Sequence, residues 1–165
     1  MKSELVEQLF RCYGREIYAY LQALCQSPET AEDLTQETFY KAILSLPDSH
    51  TNVRAWLYTV ARNLCMDYFR RTARLAQREL SEEQVDDFDV EESVFQTLQN
   101  QALARAIARL DPRKRELITL QYFSGLSVRE IAKLTGLSPE NVRVLVCRAK
   151  KEIKSDLEEQ GYDVS

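Results

Sequence analysis

The sequence predicts an all-α protein built as two small helical domains joined by an acidic linker. Three observations carry that reading. Apolar residues recur at three- and four-residue steps almost throughout the 165 residues, and no long stretch alternates with period two. Glycine and proline number only 4 each while 44% of residues are hydrophobic, the balance of a globular, helix-rich chain. Charge is grouped: six arginines face a single acid over residues 54–78, and seven bases face three acids over 127–154. Between them, residues 81–96 carry seven acids and no base, and the tail 155–165 carries four acids and no base. A net charge of −4 therefore hides two basic islands on either side of an acidic bridge.

The first helix, expected over 3–25, repeats Leu5, Leu9, Tyr13, Ile17, Tyr20, Leu21 and Leu24 at helical spacing. Ser27 and Pro28 read as the N-cap and first residue of a second helix. That helix carries Ala31, Leu34, Thr38, Ala42 and Leu46 on or near one stripe and stops at Pro47. Its other side collects Glu32, Asp33, Gln36, Glu37 and Tyr40, an acidic and amide-bearing face unsuited to DNA, which is either solvated surface or a protein-docking face. The loop LPDSHTN leads to a third helix over 53–77, with Val53, Trp56, Leu57, Val60, Leu64 and Tyr68 expected on its buried side. Arg62, Asn63, Tyr58, Phe69 and Arg70 then fall on the remaining faces, and Arg71 and Arg74 extend the positive surface. Arginines interleaved with aromatic rings suit tracking along a strand and stacking on unpaired bases.

These three helices make a first domain over 1–77, and residues 78–95 form the acidic linker, where the apolar residues Val85, Phe88 and Val90 could dock on a partner. The second domain, 96–165, opens with a helix reaching from about 95 to 110 and another starting at Asp111-Pro112. Its most specific stretch is SVREIAKLTGLSPENVRVLVCRAKKEIK, 127–154. Ser127 and Glu130 form a capping box, Ala132 is small where a second helix must cross, and Gly136 supplies the positive φ of a tight turn. Ser138-Pro139 starts the next helix, whose Val142, Leu145, Val146, Ala149 and Ile153 make a buried stripe. This is the grammar of a helix-turn-helix. Arg143, Cys147, Lys150 and Lys151 then point outward with Glu140, Val144 and Arg148 beside them, so that arginine can read guanine and lysine can bind phosphate.

Cys12, Cys25, Cys65 and Cys147 form no CxxC pair and His50 is the only histidine, so the thiols are expected to be reduced and packed as small apolar residues. No cofactor or metal is expected, and no serine or tyrosine sits among clustered acid or base partners as an enzyme's nucleophile would. The absence of a membrane-length apolar run and of a signal-peptide core points to the cytoplasm.

AEDLTQETF, then RAWLYTVARNLCMDYFRR, then a helix-turn-helix ending in VRVLVCRAKKEI, resembles the extracytoplasmic-function (group 4) sigma factors of the sigma-70 family. The resemblance spans nearly the whole chain. It implies a region 2-like helical bundle that binds the polymerase core and the −10 element, and a region 4-like helix-turn-helix that binds the −35 element. Carried over by position, Asp33, Gln36, Glu37 and Tyr40 would dock on the β′ subunit of RNA polymerase core. The loop 46–53, with Ser49, His50 and Asn52, would capture a base flipped from the −10 strand, and Arg62, Asn63, Asp67, Arg70 and Arg71 would hold the upstream −10 region. Glu140, Arg143, Val144, Cys147, Arg148 and Lys151 would face the −35 groove. The resemblance also implies contacts with β, an anti-sigma factor that can be membrane-bound, and no small-molecule substrate; the acidic linker would thread toward the polymerase active centre. A helix-turn-helix repressor or activator with a helical sensor domain is the rival reading. It leaves the basic third helix and the acidic bridge without a purpose.

Overall fold

The computed structural model describes residues 2–45, 52–78 and 98–162. These form seven α-helices, with no strand among the described residues, and they sort into two compact units, α1–α3 and α4–α7.

The first unit is a three-helix bundle of α1 (Lys2–Cys25), α2 (Pro28–Ser45) and α3 (Val53–Arg78). Gln26 ends α1 by entering the left-handed region (φ 53°), and its N–H donates to the Gln22 carbonyl at 2.8 Å. Ser27 Oγ accepts the Thr30 N–H at 3.3 Å, so α2 starts where the Ser-Pro pair predicts. Ile17, Tyr20 and Leu21 of α1, Ala31, Leu34, Phe39 and Ala42 of α2, and Leu57, Tyr58, Ala61, Leu64 and Cys65 of α3 are all buried and make up the core. Each large apolar side chain so buried contributes about 1.5–3 kcal/mol. Thr35 and Thr38 are buried as well, their hydroxyls donating to the Ala31 and Leu34 carbonyls at 2.6 and 2.7 Å.

Three expectations are corrected here. Leu5 is exposed and Val6 takes its place in the core. On α3, Tyr58 is buried at 1% exposure rather than outward-facing, while Val53, Trp56, Val60 and Tyr68 are only half-buried. The buried arc is turned toward Ala61 and Cys65, whose small side chains leave room for neighbouring helices. The cysteines also divide: Cys65 is packed as expected, Cys25 is half-buried and Cys12 is exposed, while Cys147 is exposed as its place on the outward face of the last helix predicts. Leu46 and the linker residues Val85, Phe88 and Val90 lie outside the described residues.

The second unit packs α4 (Leu98–Arg109), α5 (Pro112–Phe123), α6 (Val128–Thr135) and α7 (Pro139–Glu159). Local side chains write its helix starts. Asp111 caps α5 by accepting the Lys114 N–H at 3.0 Å. Ser127 Oγ accepts the Glu130 N–H at 3.1 Å while Glu130 Oε1 accepts the Ser127 N–H at 3.0 Å, a complete capping box for α6. Ser138 caps α7 through the Asn141 N–H at 3.1 Å. The turn between α6 and α7 passes through Gly136 at φ 77°, whose N–H closes on the Ala132 carbonyl at 2.9 Å.

Longer links then close the unit. Arg115 is buried and donates to the Leu110 carbonyl at 2.9 Å and the Ala108 carbonyl at 3.3 Å, satisfying carbonyls at the end of α4. Arg109 reaches both Asp156 oxygens at 2.8 and 3.0 Å, and Lys114 reaches Glu152 at 2.6 Å, fastening α4 and α5 to α7.

Candidate nucleic-acid interface

On α7, Val142, Val146 and Ala149 are buried and Leu145 and Ile153 half-buried, so the helix has one orientation against α5 and α6. That orientation leaves Glu140, Arg143, Val144, Cys147, Arg148, Lys150 and Lys151 exposed along one broad face. All six residues expected at the −35 groove are therefore brought together. Val144 is 46% exposed, an apolar surface suited to contact with a thymine methyl. Arg129 and Lys133 on α6 are exposed too and enlarge the positive surface beyond what the expected set contained.

Lys150 has a partner that sequence reading missed. Its Nζ stands 5.3 Å from the centroid of the Tyr122 ring on α5, a cation–π distance. The Tyr122 side chain, chiefly through its hydroxyl, raises the Lys150 pKa, so the ammonium stays charged at physiological pH.

On α3, every side chain from Phe69 to Ala76 is exposed, so the later turns of the helix extend past the bundle's buried contacts. Arg70, Arg71 and Arg74 lie on this segment, with Asn63 and Asp67 exposed and Arg62 half-buried one to two turns earlier. Arg70 and Asp67 form an ion pair at i,i+3, which fixes the direction of the guanidinium on an otherwise open surface. Asn52 serves as the N-cap of α3: its Oδ1 accepts the Ala55 N–H at 3.1 Å. Ser49 and His50 lie outside the described residues.

The first arginine of the island, Arg54, is committed to the fold. Its Nε donates to Glu16 Oε1 on α1 at 3.1 Å, and its guanidinium lies 5.2 Å from the centroid of the Tyr13 ring. Burial raises the Glu16 pKa, and Arg54 offsets part of that rise. Tyr58 stands in the same cluster, packed edge-on to Tyr20 with ring centroids 5.1 Å apart. Burial first, then the neighbouring Glu16 carboxylate, pushes its phenol pKa well up, and its hydroxyl meets hydrogen-bond geometry with no described group. No sequence period distinguishes this arginine from its neighbours; only the α1–α3 pairing does.

The acidic face of α2 is formed as expected. Asp33, Gln36, Glu37 and Tyr40 are all exposed on the side away from Leu34, Thr38 and Ala42, and Tyr40 is 61% exposed. A large aromatic this exposed is the residue type on that face that is enriched at protein interfaces.

Among the described residues no group of three or more His, Cys, Asp or Glu side chains could hold a metal ion, and no helix is long and apolar enough to cross a membrane.

Two family models match: Sigma-70 region 2 over residues 9–75, and Sigma-70, region 4 over residues 100–153. The first match contains α2 and nearly all of α3, the second nearly all of α4–α7. The chain is 35% identical to the ECF RNA polymerase sigma factor BldN of Streptomyces coelicolor over 88% of its own length, spanning 58% of that relative. It is 31% identical to the RNA polymerase sigma factor YlaC of Bacillus subtilis, covering 92% of this chain and 91% of that one. Among solved structures, the sigma factor RpoE in complex with the anti-sigma factor NepR from Bartonella quintana superposes with a TM-score of 0.81 at 25% identity, covering 92% of this chain and 96% of that one.

Proposed function

The chain belongs to the sigma-70 family of RNA polymerase sigma factors, and on that premise we propose that it is an extracytoplasmic-function member of group 4. As a sigma factor it directs RNA polymerase core to specific promoters and assists promoter opening. It acts by binding rather than by catalysis, and it works in the cytoplasm. The observation that carries the reading is the pair of exposed basic helix faces, one on α3 and one on α7, each in a unit with its own core.

Residue roles follow from the chemistry of each face. Asp33, Gln36, Glu37 and Tyr40 dock on the β′ subunit, and the second unit meets β. Arg62, Asn63, Arg70 and Arg71 hold the −10 region, with Asp67 steering Arg70; Ser49, His50 and Asn52 belong to the base-capturing loop. Arg143 and Arg148 read base edges of the −35 element beside Glu140, Val144 and Cys147, while Lys151 binds phosphate. Residues 1–77 and 96–165 form the two functional domains and 78–95 the acidic linker. Holding both domains on one polymerase converts two weak DNA contacts into one strong one through effective concentration. The relative RpoE was solved with an anti-sigma factor, which supports a partner of that kind here as well.

The test is fluorescence anisotropy of a promoter library with this protein, with and without bacterial core polymerase. Sequence-specific binding that requires core is the expected result, and the selected sequences define the promoter. Tight specific binding by the protein alone, unchanged by core, would overturn the reading in favour of a conventional helix-turn-helix regulator.

A further inference from the structure

The −35 surface of α7 has a feature that its own residues do not explain: a lysine on this helix paired with an aromatic ring on another. Seven residues separate Arg143 from Lys150, about 20° short of two full turns, so the two lie on one line of the helix roughly 10 Å apart. Lys150 is thus on the DNA-facing side but at its border, next to the buried Val146, where α5 brings Tyr122 alongside. Eleven residues beyond Pro139, it stands about 16 Å along α7. In helix-turn-helix docking the N-terminal residues of the recognition helix contact base edges. A lysine this far along faces the sugar–phosphate wall of the groove instead.

Resting on the sigma-factor reading, we propose that Lys150 is a further phosphate ligand of the −35 element and that Tyr122 is its positioning residue. A free lysine spreads over many rotamers and loses that freedom on contact. The Tyr122 ring, 5.3 Å from Nζ, restricts the side chain before DNA arrives. The interaction occupies one side of the ammonium and leaves N–H donors open to a phosphate oxygen. Both partners are exposed, Tyr122 at 56%, so neither is a core residue whose loss would collapse the unit. The ring therefore adds no contact to DNA; it lowers the entropy cost of one that Lys150 makes.

The experiment is a double-mutant cycle in reconstituted holoenzyme, with wild-type, Tyr122→Ala, Tyr122→Phe, Lys150→Met and the Tyr122→Ala/Lys150→Met pair. Dissociation constants for a duplex carrying the selected promoter are measured across a potassium chloride series. Lys150→Met should flatten the plot of log K against log salt by about 0.9, the value of one phosphate contact. Tyr122→Ala should weaken binding about threefold, within the range expected when one more long side chain must be immobilised on binding. Tyr122→Phe keeps the ring but loses the hydroxyl that acts on Lys150, so its affinity should fall between wild type and Tyr122→Ala. The paired variant should bind no more weakly than Lys150→Met alone. Additive losses, or an unchanged salt slope in Lys150→Met, would overturn the proposal while leaving the sigma reading intact. A wild-type holoenzyme that selects no promoter would sink both.

Discussion

Replacing Gly136 by alanine should destabilise the second unit by about 1 kcal/mol, and the cause should be dihedral rather than steric. A Cβ built at this position meets nothing within 4 Å, so there is no clash to relieve. The residue sits at φ 77°, where an L-residue costs about 1–2 kcal/mol relative to the right-handed region. Alanine recovers about 0.4–1 kcal/mol of this by restricting the unfolded chain. For a unit of this size, 1 kcal/mol corresponds to a fall of about 4–8 °C in Tm. The assay is thermal unfolding followed by two signals. Far-UV circular dichroism reports both units, whereas Trp56, the one tryptophan, reports α3 in the first. The dichroism transition should move while the fluorescence transition stays. Asparagine, which tolerates the left-handed region, should fall between glycine and alanine although it is larger. If asparagine proved worse than alanine, size would be the cause and the argument would fail; so would it if alanine were neutral.

Four further outcomes are expected. Ser127→Ala removes one arm of the capping box and should cost the second unit about 1 kcal/mol in the same melts. The Lys114 N–H bonded to Asp111 holds that carboxyl below its ordinary value, so its stabilisation is present above about pH 4 and is lost as pH falls through the lowered pKa. An acid titration of Asp111→Asn should therefore lack that part of the wild-type loss. Glu16 has the opposite sign: burial raises its pKa, so its charged form becomes a burden as pH rises. Arg54→Met removes the neighbouring countercharge and should destabilise the first unit more at pH 7 than at pH 4, read by Trp56 fluorescence in urea. On the DNA side, Arg143→Ala should cost about 1–3 kcal/mol and relax selection at one −35 position, whereas Lys151→Ala should weaken all sequences alike and lower the salt slope by about 0.9.

What was legible in the sequence was what is written locally. The capping box at Ser127 and Glu130, the glycine of the turn, the Ser-Pro starts of α2 and α7 and the outward face of α7 are each set by residues a few positions apart. What was not legible depends on which helix lies against which. Tyr58 looks like an exposed partner of Phe69 until α1 brings Tyr20 and Glu16 to it. Arg54 looks like one more basic residue of the α3 island until Glu16 and Tyr13 hold it. Tyr122 belongs to no motif, and only the crossing of α5 with α7 sets it beside Lys150.

The contrast between local caps and distant ion pairs sets an order of events in folding. The contacts that start α5, α6 and α7 span three residues each and can form within microseconds of the chain sampling them. The pairs that lock the unit span 47 residues from Arg109 to Asp156 and 38 from Lys114 to Glu152, and must await closure of a long loop. Weakening the locks should speed unfolding with little change in the folding rate, while weakening the caps should slow folding itself. The second unit thus keeps its local, early-forming contacts at its helix starts and its late-forming long-range pairs along the far half of α7.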